Sequence, residues 1–264
     1  MFPSFVLFGK TIGMYSIMAL IGYFCAGIYL VVKTKQRNVD ENDIIDLLLW
    51  CGLSGVIGAH FLYGLIDYKN FIWFITNLSR LTSYQDILDS GSNVFGGAVF
   101  YGGLIGILIS SLIVIKKKNL NWKIVSSCGA CAIPLFHFFG RIGCFLVGCC
   151  YGIECQHGFT FTHSIIEIAN GTPRLPVQLM EAGFNLLLFI ILNYLLNNTK
   201  YKDNLLSLYL VNYSVGRFVL EFFRGDIYRG FLLGLSTSQW ISIGILLAVI
   251  INSIYHKKNL TTSD

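Results

Sequence analysis

Apolar residues in this chain arrive in long blocks, not in the alternation of a half-buried strand or the narrow stripe of a surface helix. Crossing a hydrocarbon core in helical form takes about 20 such residues. Seven blocks qualify, at 12–32, 45–66, 94–115, 124–147, 178–196, 204–223 and 237–255. The pattern predicts an all-α, polytopic membrane protein with seven transmembrane helices. It folds as a single domain over residues 1–264, with two sizeable polar connections at 67–93 and 148–177. The first block runs to Val32 without a preceding positive cluster or an Ala-x-Ala site, so it reads as a permanent helix and not as a cleaved leader. No internal repeat or low-complexity tract stands out.

Composition agrees and adds an orientation. Charged residues are only 12% of the chain against a soluble norm of about 25%, and mean hydropathy is +0.65. Short cytoplasmic connections retain Lys and Arg. One set of alternate connections holds eleven, namely Lys33, Lys35, Arg37, Lys116, Lys117, Lys118, Lys123, Lys200, Lys202, Lys257 and Lys258. The opposite set holds six: Lys10, Lys69, Arg80, Arg174, Arg224 and Arg229. This predicts an outer N-terminus, a cytoplasmic C-terminus, and both polar connections on the outer face. The net charge of +5 then reflects attraction to an anionic inner leaflet, which gives no reason to expect nucleic acid as a partner.

Two arginines interrupt the blocks: Arg141, between Gly140 and Gly143, and Arg217, directly after Gly216. A guanidinium at the bilayer centre costs roughly 2.5 kcal/mol even on the mildest scale, so each marks a candidate site. Tyr213, Arg217, Glu221 and Arg224 recur at helical spacing and form one stripe. With Glu221 paired to one arginine, the stripe is expected to keep an excess positive charge, which suits a phosphate bound through paired hydrogen bonds. The plainer alternative is a structural ion pair between helices. Glycines at 96, 97, 102 and 103 around Tyr101 suit close passage of a lipid backbone, or simply close helix packing.

Cys144, Cys149, Cys150 and Cys155 crowd together with His157 and His163 nearby. Zinc, disulfides on an oxidising face, and small residues lining a turn all remain open, but the spacing matches no established zinc pattern, so no metal site and no cofactor is expected. Cys25, Cys51, Cys128 and Cys131 read as packing. His60 and His137 read as satisfied core histidines, although His137 shares a face with Arg141. Asp43 or Asp46 is expected to cap the second helix.

A family resemblance rests on Asp46 with Gly52, Gly55 and Gly58-Ala59, and on Gly96-Gly-Ala-Val-Phe-Tyr-Gly-Gly-Leu104. It extends through Gly140-Arg-Ile-Gly143, Pro176-Val-Gln-Leu-Met-Glu181, Gly216-Arg-Phe-Val-Leu-Glu-Phe-Phe-Arg224 and Leu235-Ser-x-x-Gln239. In order and spacing these resemble the phosphatidylglycerol:prolipoprotein diacylglyceryl transferases over essentially the whole chain. The resemblance implies a seven-helix enzyme of the bacterial inner membrane. Such an enzyme moves diacylglyceryl from phosphatidylglycerol to the lipobox cysteine thiol of a preprolipoprotein and releases glycerol phosphate, without a cofactor and as a monomer. It also implies catalytic roles for Arg141, Arg217, Glu221 and Tyr101. Phosphate and lipid contacts are implied for Arg141, Arg217, Arg224, Tyr213, Gly102, Gly103, Tyr15 and Gly152.

The chain departs from the family pattern at several positions. Tyr101 stands where the family's His-Gly-Gly-Leu has histidine, Cys144 and Val147 stand for two asparagines, Cys149 for a glutamate, and His60 for an arginine. Two readings follow: a working transferase whose acceptor thiol needs little help to ionise, or a paralogue that binds an anionic lipid or modifies another acceptor, with the cysteines in a redox or metal role.

Overall fold

The computed structural model describes residues 3–7, 9–81, 83–198, 204–226 and 230–261. Lys200, Lys202 and Arg229, which entered the charge comparison, lie outside the described residues. The chain divides into two compact units, one of Met1–Lys33 with Lys123–Asp264, the other of Thr34–Trp122.

The larger unit opens with an antiparallel hairpin, β1 (Ser4–Leu7) against β2 (Lys10–Gly13), which leads directly into α1 (Met14–Lys35). Four more helices follow in it: α6 (Trp122–Val147), α7 (Val177–Leu196), α8 (Leu205–Leu220) and α9 (Thr237–Thr261). Helix α1 packs closely on α6. A Cβ on Gly22 would lie 2.9 Å from Phe139 Cβ, and one on Gly143 would lie 3.0 Å from Met18 Cβ. The Tyr29 hydroxyl donates to Asn193 Oδ1 on α7 at 2.9 Å. Helix α9 begins with a capping box, in which Ser236 Oγ accepts from Gln239 N at 3.3 Å and Gln239 Oε1 accepts from Ser236 N at 2.9 Å.

The distribution of polarity in this unit is the reverse of a soluble protein's. Gln178, Glu181, Asn185, Arg217 and Glu221 are buried, while Leu187, Ile190, Leu247 and Ile251 are exposed. An apolar exterior around polar interior groups is what a hydrocarbon surround requires. Six helices among the described residues are long and apolar enough to cross a membrane: α1, α6, α7, α9 and, in the smaller unit, α2 (Glu41–Ile66) and α5 (Phe100–Lys117). Helix α8 has 16 residues and falls short by length.

The connection expected at 148–177 is folded, not a loose polar loop. Strand β3 (Glu154–Phe159) and a 3-10 turn at Glu167–Ala169 surround a small core of Tyr151, Phe161 and Ala169. Arg174, counted above as a loop charge, lies over the Tyr151 ring at 4.6 Å and donates to the Ile168 carbonyl at 2.9 Å. Past α8, a two-residue hairpin of β4 (Phe231–Leu232) and β5 (Leu235–Ser236) delivers the chain to α9.

In the smaller unit α2 and α5 pack through glycine. A Cβ on Gly102 would overlap the Gly58 carbonyl, and one on Gly106 would overlap that of Ser54. The connection expected at 67–93 is two helices, α3 (Tyr68–Asn77) and α4 (Tyr84–Phe95). The third apolar block therefore starts its helix at Phe100 and not at residue 94, because Gly96 and Gly97 end α4 and break the run. The cap of α2 is Asp40, whose side chain accepts from Asn42 N at 2.7 Å. Asp43 and Asp46 are not caps; both bind Lys118 Nζ, at 2.9 and 2.7 Å. These hydrogen bonds, first Asp46 and then Asp43, raise the Lys118 pKa well above the ordinary lysine value.

Candidate functional site

Three arginines and three carboxylates converge in the larger unit. Helix α7 supplies Glu181, which takes Arg141 Nη2 of α6 at 2.9 Å on one oxygen and faces Arg217 Nη1 of α8 at 3.8 Å with the other. Arg217 Nη2 meets Glu221 Oε2 at 2.8 Å and donates to Ser238 Oγ, at the start of α9, at 3.1 Å. Arg224 Nη1 reaches Glu221 Oε2 at 3.9 Å, and Asp226 holds Arg224 in a fork, Nε to Oδ1 at 2.9 Å and Nη2 to Oδ2 at 2.6 Å. Burial alone would lower the Arg224 pKa, but the Asp226 hydrogen bonds outweigh it and raise it above the usual arginine value.

The stripe expected on one helix is built differently and still meets. Helix α8 ends at Leu220, Glu221–Phe223 form a 3-10 turn, and Arg224 pairs as an isolated bridge with Gly152. The tighter turn keeps Glu221 within reach of both Arg217 and Arg224. The expected excess of positive charge is corrected, because Glu181 and Asp226 had not been counted. Three cations face three carboxylates and their formal charges cancel. That cancellation makes the arginines tolerable among apolar helices. Among the described residues of the cluster, Arg217 Nη1 is a buried donor that makes no hydrogen bond and has Glu181 at 3.8 Å.

Around this cluster the remaining predicted residues divide between the two units. Tyr213 accepts a hydrogen bond from Arg141, stacks on Tyr209 at 5.6 Å, and lies 5.1 Å from the His137 ring. His137 is a satisfied core histidine, with Asn185 and the Tyr209 hydroxyl as partners, the latter 3.3 Å from Nδ1. Tyr15 packs its backbone where a Cβ on Gly143 would point, and Arg141 is among the charges that act on its phenol. A Cβ on Gly140 would meet nothing within 4 Å, so the helix surface at Gly140 itself is open. Gly152 sits where a Cβ would strike the Leu175 carbonyl, a close approach that also lets it pair with Arg224.

Tyr101, Gly102 and Gly103 belong to the smaller unit. Tyr101 is 40% exposed at the start of α5, its ring edge-on to Phe100. Gly102 and Gly103 face α2, so helix packing accounts for both. His60 Nδ1 lies 2.7 Å from the Phe95 carbonyl oxygen, which satisfies it.

Sequence reasoning missed Glu181, Asp226 and Ser238 as members of the cluster. A buried glutamate four residues into an apolar helix was the available signal for Glu181. Asp226 two residues past Arg224 had only proximity to recommend it.

At the end of α6 the backbone reverses through Gly148 (φ 81°), and Cys150 also adopts a left-handed conformation (φ 57°). Cys149 N and Gly148 N both bond the Cys144 carbonyl, at 3.2 and 2.9 Å, a helix cap that folds the next residues back over the last turn. The Sγ atoms of Cys144, Cys149 and Cys150 consequently lie within 4.8 Å of one another. All eight cysteines are free thiols. Hydrogen bonds from the Cys144 and Cys149 thiols, and then the Arg224 and Arg141 charges, pull the Cys150 thiol below its ordinary pKa. Hydrogen bonds with Cys144 and Cys150, and then burial, push the Cys149 thiol up.

A family profile described as Prolipoprotein diacylglyceryl transferase matches residues 3–255. The chain is 35% identical to the phosphatidylglycerol–prolipoprotein diacylglyceryl transferase of Clostridium tetani over 241 residues, 90% of this chain and 91% of that one. It is 32% identical to the second such protein of Clostridium perfringens, over 93% of this chain and 91% of the other. It is 29% identical to the protein of that name from Finegoldia magna, over 99% and 98% of the two chains. A match that runs through every helix of both units places this chain in the prolipoprotein diacylglyceryl transferase family.

Proposed function

We propose that this protein transfers the diacylglyceryl group of phosphatidylglycerol to the lipobox cysteine thiol of preprolipoproteins and releases glycerol phosphate. The observation that carries the reading is the buried arginine and carboxylate cluster of Arg141, Arg217, Arg224, Glu181, Glu221 and Asp226, with a donor of Arg217 left over. In an apolar surround such a cluster suits an anion that arrives with its own hydrocarbon chains.

The proposed chemistry is a displacement at the glyceryl carbon that bears the phosphate. The acceptor thiol gives up its proton to solvent, its sulfur forms the C–S bond, the C–O bond breaks, and the electron pair leaves with the phosphate oxygen. A bound phosphodiester carries one negative charge, and the departing monoester develops a second. Arg217 Nη1 and Arg141 are the donors for that charge, and they gain strength as it grows because the site is dry and already oriented. Glu181 and Glu221 hold the guanidiniums in place, and Tyr213 holds Arg141. Arg224 steadies the far side of Glu221. Tyr101 is a donor for the lipid head group, and Tyr15 and Gly152 border the lipid path.

The whole of residues 1–264 acts in this reading as one membrane domain with seven crossings. Helix α8 is about 24 Å long at roughly 1.5 Å per residue, and the 3-10 turn after it extends the span. Lysines at 33, 35, 116, 117 and 118 favour a cytoplasmic C-terminus and an outer N-terminus. The enzyme works as a monomer in the bacterial inner membrane, with the substrate peptide reaching it from the outer side.

The test is incubation of the purified protein with phosphatidylglycerol labelled in its acyl chains and a lipobox peptide. Labelled peptide and an equal yield of glycerol phosphate are expected. Absence of both, with phosphatidylglycerol still bound, would overturn the reading and leave a lipid-binding paralogue.

A further inference from the structure

Spacing alone gave no metal pattern for the cysteines, because two are adjacent and the third lies across a helix end. The folded turn gathers them. It is also pinned on several sides: Gln178 Nε2 donates to the Cys149 carbonyl at 2.7 Å, Ser164 Oγ donates to the Gly148 carbonyl at 3.0 Å, and Gly225 N bonds the Tyr151 carbonyl at 2.9 Å. A left-handed Cys150 is strained backbone, and such strain persists only where surrounding contacts enforce it. Here it turns a third sulfur toward the other two.

We infer that Cys144, Cys149 and Cys150 form a three-sulfur site for a thiophilic d10 cation of the zinc class, whose fourth position takes the thiol of the acceptor peptide. Metal–sulfur bonds near 2.3 Å set sulfur pairs roughly 3.8–4.0 Å apart, and the three Sγ atoms already lie within 4.8 Å of one another. A divalent cation with three thiolates carries one negative charge. Loading the site releases three thiol protons to solvent. Three protein ligands leave a tetrahedral cation one open position, and Cys149 and Cys150 are only partly buried, so the turn is reachable.

The role deepens the transferase reading and rests on it. A thiol that binds such a cation loses its proton. The acceptor would thus release its proton to solvent on coordination and attack as a metal-bound thiolate. The C–S bond forms, the C–O bond breaks, glycerol phosphate departs with the electron pair, and the thioether product, a weaker ligand, leaves the cation. In a chain with tyrosine at 101, this supplies the ionised sulfur without a histidine base.

Cobalt(II) is the probe, added to purified full-length protein in a non-thiol reductant. One equivalent is expected to bind with an intense sulfur-to-cobalt charge-transfer band, which is lost in the Cys149→Ser, Cys150→Ser double variant. A lipobox peptide should raise that band, whereas the same peptide with serine for its cysteine should not. This second comparison uses only the wild-type protein, so it does not depend on the variant folding. If cobalt fails to bind while labelled peptide still forms, the metal site is overturned and the transferase reading stands. If cobalt binds and the peptide thiol leaves the band unchanged, the fourth-ligand role is overturned. If the band responds and no lipid transfer occurs with zinc loaded, the site stands and the transferase reading falls.

Discussion

Replacing Glu181 by glutamine tests the charge balance of the site. The carboxylate is 3% exposed and faces two guanidiniums, at 2.9 and 3.8 Å. A charge pair near 4 Å is worth about 4 kcal/mol at an effective dielectric of 20, and removal of one partner from a buried pair typically costs about 3–5 kcal/mol. Glutamine keeps the shape and removes the charge, so three cations then face two carboxylates. For a chain of this size the loss corresponds to a fall in melting temperature of about 10 °C. The same change leaves the cluster with one excess positive charge. An anionic lipid should therefore restore more stability to the variant than to the wild type. Thermal unfolding in detergent, with and without phosphatidylglycerol, reads both effects. Glu154→Gln is the control: its pair with Arg174 spans 3.5 Å and its side chain is 70% exposed, so at most about 1 kcal/mol is at stake. Equal melting temperatures for Glu181→Gln and Glu154→Gln would refute the reasoning. So would a Glu181→Gln protein that gains no more from the lipid than the wild type does.

Gly102→Leu should destabilise the α2 and α5 pair by about 1–3 kcal/mol, because any Cβ there overlaps the Gly58 carbonyl; loss of monodisperse protein on gel filtration is the readout. Ser236→Ala removes the cap of α9 and should cost about 1 kcal/mol. Since Gln239 also reaches the Phe218 carbonyl at 3.5 Å, faster hydrogen exchange is expected at the end of α8 as well as at the start of α9. Lys118 is a lysine whose folded pKa is raised by Asp46 and Asp43. Its contribution is therefore complete below the ordinary lysine value and fades only as pH rises through the folded one. The melting difference between wild type and Lys118→Met should hold from neutral pH into mild alkali and shrink only in strong alkali.

Much of this architecture is legible in the chain because hydrocarbon imposes a coarse rule. Long apolar blocks become helices, and the blocks at 124–147 and 178–196 match α6 and α7 within two residues. Apolar composition does not reveal where a helix starts inside a block, which is why the break at Gly96 and Gly97 went unread. The polar connections hid their folds for a related reason. Helices α3 and α4 are short and amphipathic, and the Tyr151, Phe161 and Ala169 core draws on residues scattered over a segment that reads as polar. Within the site, Arg217 and Glu221 announced each other by spacing. Glu181 did not, because its partners come from two other helices. The three-sulfur turn is invisible to spacing, since it depends on left-handed backbone at Gly148 and Cys150.

The most direct test of the central claim is turnover of labelled phosphatidylglycerol and lipobox peptide by Arg217→Ala beside the wild type, with lipid binding measured in parallel. Loss of one preorganised donor to the developing phosphate charge should lower kcat by about 10²–10³-fold, while Arg141 and Arg224 keep most of the lipid affinity. Near wild-type turnover in the variant would contradict the account.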